Sequence, residues 1–510
     1  MTTMRLAWLL GLLLLSASCA PLPPRPDLPD DFAPPPATSG AIAELVMPRE
    51  ARHPGQSGFR LVSTGTEAYA LRAYSAQAAT RSLDIQTYLW HNDLTGKLLA
   101  SRALAAADRG VRVRILVDDL DAREKNDGFA ALDVHPMIEV RLYNPLVSRE
   151  GAAGKAAEFS LGFSRLNHRM HNKSWIADGR IALVGGRNLG DEYFDAHAGT
   201  NFVDLDFLMA GPVVAEVSAN FDRFWNSESN RRIWRLETRE YTDAELQTLR
   251  AVLAQAEDEL KRSRYAQVLR EDPRVQDLVS GDATLNWTRE WHFVSDDPMK
   301  MQLPEDQRSA VLEALRPALA VAEREVALIS PYFVPGERGS ARLAALQANG
   351  VRVRILTNSL AATDVAAVHG GYARYRKALL RGGVQLWELK PTGTQPSEFS
   401  LGGSSGSSLH TKAALIDDAQ VFVGSYNLDP RSTSLNTEQG VLATHPAIAA
   451  ELKAIFEREL QGTRSWQVTL VDGRLQWTDG TQVLDGEPGA KPSQRVLAWL
   501  MKVLPVESQL

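Results

Sequence analysis

Two stretches of the chain, at residues 110–116 and 350–356, share the sequence GVRVRIL, in which polar and apolar residues alternate before an apolar run begins. This pattern is typical of a strand that enters a sheet covered on both faces. An alanine-rich helical stretch precedes each copy, so Gly110 and Gly350 fit the position just past a helix end. A further strand candidate precedes each helix, LDIQTYLW in one case and VALISPYF in the other. The order strand, helix, strand predicts parallel pairing through a right-handed crossover.

Three further pairs of segments recur at nearly the same spacing. EFSLG occurs at residues 158–162 and 398–402, and the segments HNKSWIAD and HTKAALID begin at His171 and His410. GGRN and GSYN then begin 14 residues after each histidine. Because all four pairs keep their order and their spacing drifts by one residue, the chain is predicted to be an internal duplication of one α/β unit.

These landmarks divide the chain into six predicted regions. An amphipathic segment with a Thr/Asp start at Thr242 is expected to pack across the two halves as a helix. Near the end, Asp472 and Gly473 predict a hairpin turn. The last segment, RVLAWLMKVL, is either an interfacial helix anchored by Trp499 or a helix that docks on the body. The regions are a signal peptide (1–18), a proline-rich tether (19–45), a first half (46–238), a helical connector (239–275), a second half (276–460) and a C-terminal hairpin and helix (461–510).

The first 20 residues have the three-part order of a secretory signal, with Arg5, a run of ten apolar residues and small residues around Cys19. The apolar run is shorter than the roughly 20 residues that cross a bilayer. Cys19 resembles the acylated cysteine of a bacterial lipoprotein, although Ser16 stands where leucine is usual and Leu15 lies one place earlier. Cleavage near Ala20 and an uncleaved anchor remain alternatives. Because Cys19 is the only cysteine, no intramolecular disulfide can form.

Composition narrows the class of protein. Of the 510 residues, 44% are hydrophobic and 23% are charged, values close to those of soluble globular proteins, which argues against wholesale disorder and against a polytopic membrane protein. The formal net charge of −6 disfavours non-specific binding to nucleic acid, which depends on Lys and Arg. We therefore expect no nucleic-acid partner, and a monomer that contains an internal pseudo-dimer.

Two HxK pairs carry the candidate chemistry. Residues i and i+2 of a strand face the same side, so His171 with Lys173, and His410 with Lys412, each point into one space. Imidazole can serve as nucleophile and as acid because its pKa lies near neutrality. Two lysines can supply positive charge at such a site, so neither a metal nor another cofactor is expected.

The two complete HxKxxxxD motifs resemble those of the phospholipase D superfamily, in which two such motifs form one active site. The resemblance covers roughly residues 60–445. It implies an α/β fold of two duplicated α/β/α halves about a pseudo-twofold axis, to which a small C-terminal extension is added here. It also implies that His171 attacks phosphorus to form a phosphohistidine and that His410 protonates the departing alcohol.

The resemblance assigns supporting residues as well. A carboxylate downstream of each motif orients a histidine; Glu438 fits in the second half, and Asp204, with Asp206 as the alternative, fits in the first. Which carboxylate contacts which histidine stays open. The residues expected to hold the substrate phosphate or to line its binding segment are Lys173, Lys412, Asn188, Asn427, Ser425 and Gly186.

Other polar residues near the motifs have open roles. Asp178 and Asp417 complete the two motifs and are candidates for the site, but their positions at strand-end turns favour a role in the fold. His168 and His369 could belong either to the site or to the scaffold. Their roles depend on contacts that spacing does not specify.

Longer stretches, among them SRLNHRMHNKSWIADG and NSLAATDVAAVHGGYARYRKALL, resemble bacterial cardiolipin synthases of the phospholipase D type. This resemblance implies transfer of a phosphatidyl group to phosphatidylglycerol. Phospholipids would be the substrates, at a membrane surface on the periplasmic side of the bacterial envelope, with Cys19 as the lipid anchor. A secreted phospholipase D or phosphodiesterase is the alternative, and a non-catalytic envelope lipoprotein is a third hypothesis.

Overall fold

The computed structural model describes residues 30–122, 126–146, 163–237, 239–281, 283–391, 406–504 and 507. The predicted signal peptide, Cys19 and both copies of EFSLG lie outside the described residues. Among the residues that are described, no helix combines the length and the apolar composition that a membrane crossing requires.

The first half is built on a nine-stranded sheet of order β10-β1-β8-β6-β5-β2-β3-β4-β9. The parallel pairs β2–β3 and β3–β4 confirm the crossover that the strand, helix, strand pattern predicts. Strands β1–β10 are Ser57–Val62, Ser82–Thr87, Arg112–Asp118, Ile138–Tyr143, Ser174–Ala177, Ile181–Gly185, Thr200–Val203, Asp206–Ala210, Asn230–Arg232 and Asn286–Thr288.

The second half repeats this order in a ten-stranded sheet, β11-β18-β17-β16-β12-β13-β14-β19-β20-β21. The predicted C-terminal hairpin is present, with Asp472 and Gly473 at φ of 47° and 75° in its turn. Its strands continue the second sheet, because β19 pairs with the open edge of β14. Strands β11–β21 are Trp291–Ser295, Glu325–Ile329, Arg352–Asn358, Gln385–Leu389, Gly406–Leu409, Ala413–Ile416, Gln420–Gly424, Gln439–Thr444, Ser465–Val471, Arg474–Thr478 and Val483–Leu484.

Helices flank both sheets. The two copies of GVRVRIL form the buried central strands β3 and β13 and have no place in the site. Helices α1–α16 are Ala41–Arg52, Gly65–Ala78, Leu94–Asp108, Asp119–Ala122, Asn126–Asp133, Phe163–Leu166, Pro212–Trp225, Asp243–Arg262, Arg264–Glu271, Pro273–Ser280, Ala310–Ala320, Gly336–Ala348, Ala366–Arg381, Pro430–Ser434, Pro446–Leu460 and Pro492–Val503.

Two predicted regions differ from the structure. The tether was predicted to reach residue 45, but α1 begins at Ala41, and the backbone N–H of Ala33 already donates to Asp222 of the first half. The connector helix α8 does not cross both halves: Leu246, Leu253 and Ala256 join the core of the first half, against α3 and α5. Its apolar stripe matches the groove between those helices, a partner that periodicity alone does not identify.

The two halves meet through a shared core and crossed strands. One hydrophobic cluster contains residues of both sheets, for example Phe207 and Val423. Strand β7 of the first half pairs in parallel with β15 of the second, with Val203 opposite Leu409. A matching bridge joins Met170 to Thr437. The duplication therefore places the segments that carry the two motifs against each other.

Candidate active site

The two motif histidines are held by backbone from the opposite half. The His171 N–H donates to the Thr437 carbonyl at 2.9 Å, and the His410 N–H donates to the Val203 carbonyl at 2.9 Å. Both side chains are almost fully buried. Each histidine thus lies just before a strand of its own sheet, but its backbone is hydrogen-bonded to the other half.

The orienting carboxylates are crossed between the halves. His171 Nδ1 lies 2.9 Å from Glu438 Oε2, and His410 Nδ1 lies 2.7 Å from Asp204 Oδ2. The sequence left this pairing open, and the structure resolves it. The carboxylates accept from Nδ1–H, so the reactive lone pair of each imidazole is on Nε2. No described residue hydrogen-bonds to either Nε2.

Asp206, the alternative to Asp204, has another role. Its carboxylate pairs with Arg72 at 3.0 Å and with Arg187 at 3.4 Å, and all three side chains are buried. Arg187 also donates to the Asp204 carbonyl. The Asp206 cluster thereby fixes the segment that presents Asp204, and Asp206 does not contact a histidine.

The two lysines fold back toward their own histidines. Lys173 Nζ donates to the His171 carbonyl at 2.6 Å, and Lys412 Nζ lies 3.0 Å from His410 Nδ1. Burial lowers the pKa of Lys173 to about 7 and that of Lys412 to about 8. Two poorly solvated cations therefore share one small volume and can be neutralised by an anionic ligand.

The pKa values of the two histidines and of Asp204 depend on burial and on neighbouring charges. Burial lowers the pKa of His171 to about 4, and it also lowers the pKa of His410. Burial alone would raise the pKa of Asp204, but its interaction with His410, including their hydrogen bond, and the charge of Lys412 hold that pKa at about 2. The free site thus contains neutral imidazoles beside ionised carboxylates.

Gly186 and Ser425 do not line a phosphate site, in contrast to the prediction. The Ser425 hydroxyl is fully buried and donates to Glu438 Oε2 at 2.5 Å. A Cβ at Gly186 would lie 2.8 Å from Asp204 Cγ, so a side chain has no room there. Gly186 follows β6 and Ser425 follows β17. These strands pair with β8 and β18, so each residue packs behind the carboxylate that precedes the neighbouring strand.

The two asparagines differ in their contacts. Asn188 Nδ2 donates to the Tyr193 hydroxyl at 2.8 Å, and Asn188 Oδ1 accepts from the Leu89 N–H at 3.3 Å. The Oδ1 atom of Asn427 is buried with no hydrogen-bond partner among the described residues. Asn188 is therefore tied to the scaffold, whereas the Asn427 Nδ2 group remains a candidate donor to a phosphate oxygen.

Asp178 and Asp417 lie at the far ends of β5 and β16, away from the histidines, so they are not catalytic residues. Asp178 accepts backbone N–H bonds from Thr80, Arg81 and Ser82 at 2.7–3.1 Å. Asp417 accepts the equivalent three bonds, from residues 323–325, at 2.7–3.0 Å. Both adopt positive φ, of 55° and 54°. The motif aspartates fasten the start of the neighbouring strand.

Other contacts around the histidines come from residues outside the two motifs. Ser432 Oγ donates to Glu438 Oε1 at 2.8 Å. The rings of Tyr88 and Tyr193 stand edge-on to His171 and His410, with centroids 5.1 and 5.3 Å apart. No motif marks these residues, and only the equivalence of the two halves could have suggested them.

The two histidines with open roles are structural. His168 Nε2 bonds to the Tyr143 hydroxyl at 2.8 Å, and its Nδ1 bonds to the Leu435 carbonyl of the other half. His369 Nε2 contacts Arg376 at 2.7 Å. Neither contacts the motif residues.

The chain is similar in sequence to known proteins. The family described as "Cardiolipin synthase, PLD-like domain" matches residues 75–225 and 315–460. Cardiolipin synthase C of Escherichia coli is 40% identical over 474 residues, covering 91% of this chain and 99% of the relative. Cardiolipin synthase B of Escherichia coli is 25% identical over 423 residues, covering 80% of this chain and 85% of the relative.

A solved structure supports the fold. The phosphatidylserine synthase of Haemophilus influenzae superposes with a TM-score of 0.56 at 12% identity and covers 91% of this chain and 100% of its own. The match spans both halves. The two matched segments, the crossed histidine pairs and the 40% identity together show that this chain belongs to the family of cardiolipin synthases with phospholipase D-like domains.

Proposed function

We propose that this chain is a phosphatidyltransferase that forms cardiolipin from phosphatidylglycerol and a second phospholipid through a phosphohistidine at His171. The crossed pairs His171–Glu438 and His410–Asp204 are the observation that carries the proposal. They place two imidazoles, each with Nε2 available, around one cationic volume. The names of the relatives support the lipid substrate.

In the first step, His171 Nε2 attacks phosphorus while the bond from phosphorus to the leaving alcohol breaks. The proton on His410 Nε2 goes to the leaving oxygen. A bound phosphodiester is anionic and raises the pKa of His410, which favours the protonated form that this step needs. Glu438 stabilises the positive charge that develops on His171, as a carboxylate behind an imidazole does.

In the second step, a hydroxyl of phosphatidylglycerol attacks the phosphohistidine. Its proton returns to His410, and the bond from phosphorus to His171 Nε2 breaks, so the enzyme is regenerated. Lys173, Lys412 and the Asn427 Nδ2 group donate to the non-bridging oxygens and stabilise them in both steps. Water can attack the same intermediate, which makes hydrolysis by a secreted phospholipase D or phosphodiesterase the second candidate function.

One assay separates the candidates. Purified protein is incubated with vesicles of phosphatidylglycerol, with and without phosphatidylethanolamine, and the lipids are measured by mass spectrometry. Cardiolipin supports the proposal, and phosphatidic acid alone supports hydrolysis. No product from the wild type would favour the non-catalytic lipoprotein.

The intermediate can be located directly. Acid-free quenching followed by peptide mass spectrometry should place the phosphoryl adduct on His171, and an adduct on His410 would reverse the two roles. His171→Ala provides the control, because it should remove the adduct and all turnover.

We also propose that the chain is exported and anchored by acylation of Cys19, as the signal-like residues 1–18 suggest. Mass spectrometry of the mature N-terminus tests this. A lipid-modified Cys19 supports the proposal, and an unmodified terminus at Pro21 contradicts it.

A further inference from the structure

The C-terminal helix α16, Pro492–Val503, turns its large apolar side chains outward. Ala498 is buried against α13, where a Cβ at Gly370 would lie 2.5 Å from the Ala498 carbonyl. The opposite side of the helix is exposed, and Trp499 and Val496 have 63% and 65% of their surface accessible. The residues on this outer face, spaced i, i+3, i+4 and i+7, are Val496, Trp499, Leu500 and Val503. A helix that docks through small residues and exposes its large ones requires a second apolar partner.

The helix is held firmly in place. Arg374 of α13 donates to the Lys502 and Leu504 carbonyls at 2.6 and 3.1 Å, which caps the end of α16. Upstream of α16, Glu487 pairs with the buried Arg376 at 2.9 Å. The outer face therefore belongs to a fixed element of the second half.

The charge around the outer face is positive. Lys491, Arg495 and Lys502 are all exposed, and residues 488–506 contain no Asp or Glu. The nearest acidic residue downstream, Glu507, pairs with Arg374 at 2.8 Å. An apolar strip with tryptophan at its centre and cations along its sides is complementary to the surface of an anionic phospholipid bilayer.

The inner side of α16 is also connected to the segment that precedes His410. Gln494 of α16 donates to the Leu360 carbonyl at 3.1 Å. Asn358, at the end of β13 and two residues before Leu360, exchanges two 2.9 Å hydrogen bonds with the backbone of Leu409. Residues 358–360 therefore connect α16 to Leu409, the residue before His410. Docking of α16 on a bilayer would hold the second half at the membrane surface.

We infer that the outer face of α16 is a membrane-docking surface that binds anionic phospholipid and presents the second half to its lipid substrate. The inference rests on the proposed lipid substrate. It commits to a bilayer as occupant, because the positive charge would be unfavourable against a second copy of the same face.

A position-specific label tests the contact. Cys19→Ser removes the only cysteine, so Val496→Cys in the full chain can carry a single environment-sensitive fluorophore. Val279→Cys is the matched control, because Val279 lies on α10 with 63% of its surface accessible. With phosphatidylglycerol vesicles, the label at position 496 should shift to the blue and be quenched by spin-labelled lipid, whereas the label at position 279 should do neither.

Three results would overturn the inference. The first is equal responses at positions 496 and 279. The second is an equal response with vesicles of zwitterionic phosphatidylcholine. The third is a blue shift at position 496 that depends on protein concentration in the absence of vesicles. The last result would identify a second copy of the chain as the occupant.

A functional variant completes the test. The double change Trp499→Glu with Leu500→Glu should reduce turnover of phosphatidylglycerol in vesicles at least about tenfold, because two charges cannot enter the interface. Turnover of monomeric short-chain phosphatidylglycerol should stay within about twofold, since the site itself is unchanged. Val279→Glu should leave both rates unchanged. Equal loss on both substrates would contradict the inference. If the wild type turned over neither lipid, the proposed function would fail while the label experiment still tested the docking surface.

Discussion

The residues around Asp204 in the first half and around Glu438 in the second form two carboxylate pockets. Both pockets hold a carboxylate beside a histidine, but with different side chains. In the first, the short Asp204 approaches so closely that only glycine fits at position 186. In the second, Glu438 is one methylene longer, and Ser425 occupies the equivalent position and donates to it. Each pocket still presents one carboxylate oxygen to an imidazole Nδ1. Duplicated halves can thus keep one contact while the residues behind it change together.

The surroundings of the two pockets differ as well. Glu438 accepts from two hydroxyls, those of Ser425 and Ser432, whereas Asp204 accepts from the Leu205 N–H. The second sheet is also extended by β19–β21 and carries α16, while the first ends at the three-residue strand β9. The two histidines therefore have unequal environments, which is consistent with the opposite roles proposed for them.

The largest expected difference between the halves is in the loss of turnover when each histidine is replaced. His171→Ala should lower turnover by at least about 10⁴-fold with every substrate, because the nucleophile is lost. His410→Ala should cost about 10²–10⁴-fold with a phospholipid but much less with a p-nitrophenyl phosphodiester, whose leaving group needs no acid. Steady-state rates with both substrates measure this. If the p-nitrophenyl phosphodiester restored turnover by His171→Ala and not by His410→Ala, the roles of nucleophile and acid would be reversed.

Exchange of the residues behind the carboxylates tests the paired change directly. Gly186→Ser should displace Asp204, misorient His410 and lower kcat about 10²-fold. Ser425→Gly leaves space and removes one hydrogen bond to Glu438, which should cost about 1.5 kcal/mol, or roughly tenfold in kcat. Circular dichroism of both variants provides the control for folding. Equal losses would show that the two pockets are interchangeable.

The alkaline side of the pH profile should separate the two lysines. Both pKa values are lowered by burial, to about 7 for Lys173 and about 8 for Lys412, so the charges are present below pH 7 and are lost as the pH rises through these values. We expect kcat/KM to fall on this side, starting near pH 7. Arginine stays protonated, so Lys173→Arg should move the fall upward by about one pH unit, whereas Lys412→Arg should not. An alkaline limb that is unchanged in both variants would contradict this assignment.

The motif aspartates should affect stability and hardly affect catalysis. Asp178→Ala should lower the free energy of unfolding by about 2–3 kcal/mol, since a buried carboxylate that accepts three backbone N–H bonds is lost. Asp417→Ala should cost less, because Asp417 is only half-buried. Thermal unfolding measures the loss, and kcat/KM of the folded fraction should stay within about twofold of the wild type. A larger loss of kcat/KM would show that these residues contribute to catalysis.

The sequence by itself determined the duplication, the α/β class and the positions of the two HxK pairs. These follow from local pattern: GVRVRIL alternates as a strand must, and two HxK pairs place His171 with Lys173 and His410 with Lys412 on single strand faces. The turn at Asp472 and Gly473 was equally predictable, because positive φ selects such residues.

Only the tertiary structure decided which residues meet across the two halves. Spacing along the chain cannot show that Glu438 contacts His171, that Ser425 lies behind Glu438, or that α8 packs on the first half alone. These contacts depend on how the two sheets face each other around their shared core, and hydrophobic burial, which brings them together, is not directional. The outward apolar face of α16 was also decided only by the tertiary structure. The sequence shows an amphipathic helix, and the packing of that helix against Gly370 shows which side remains exposed.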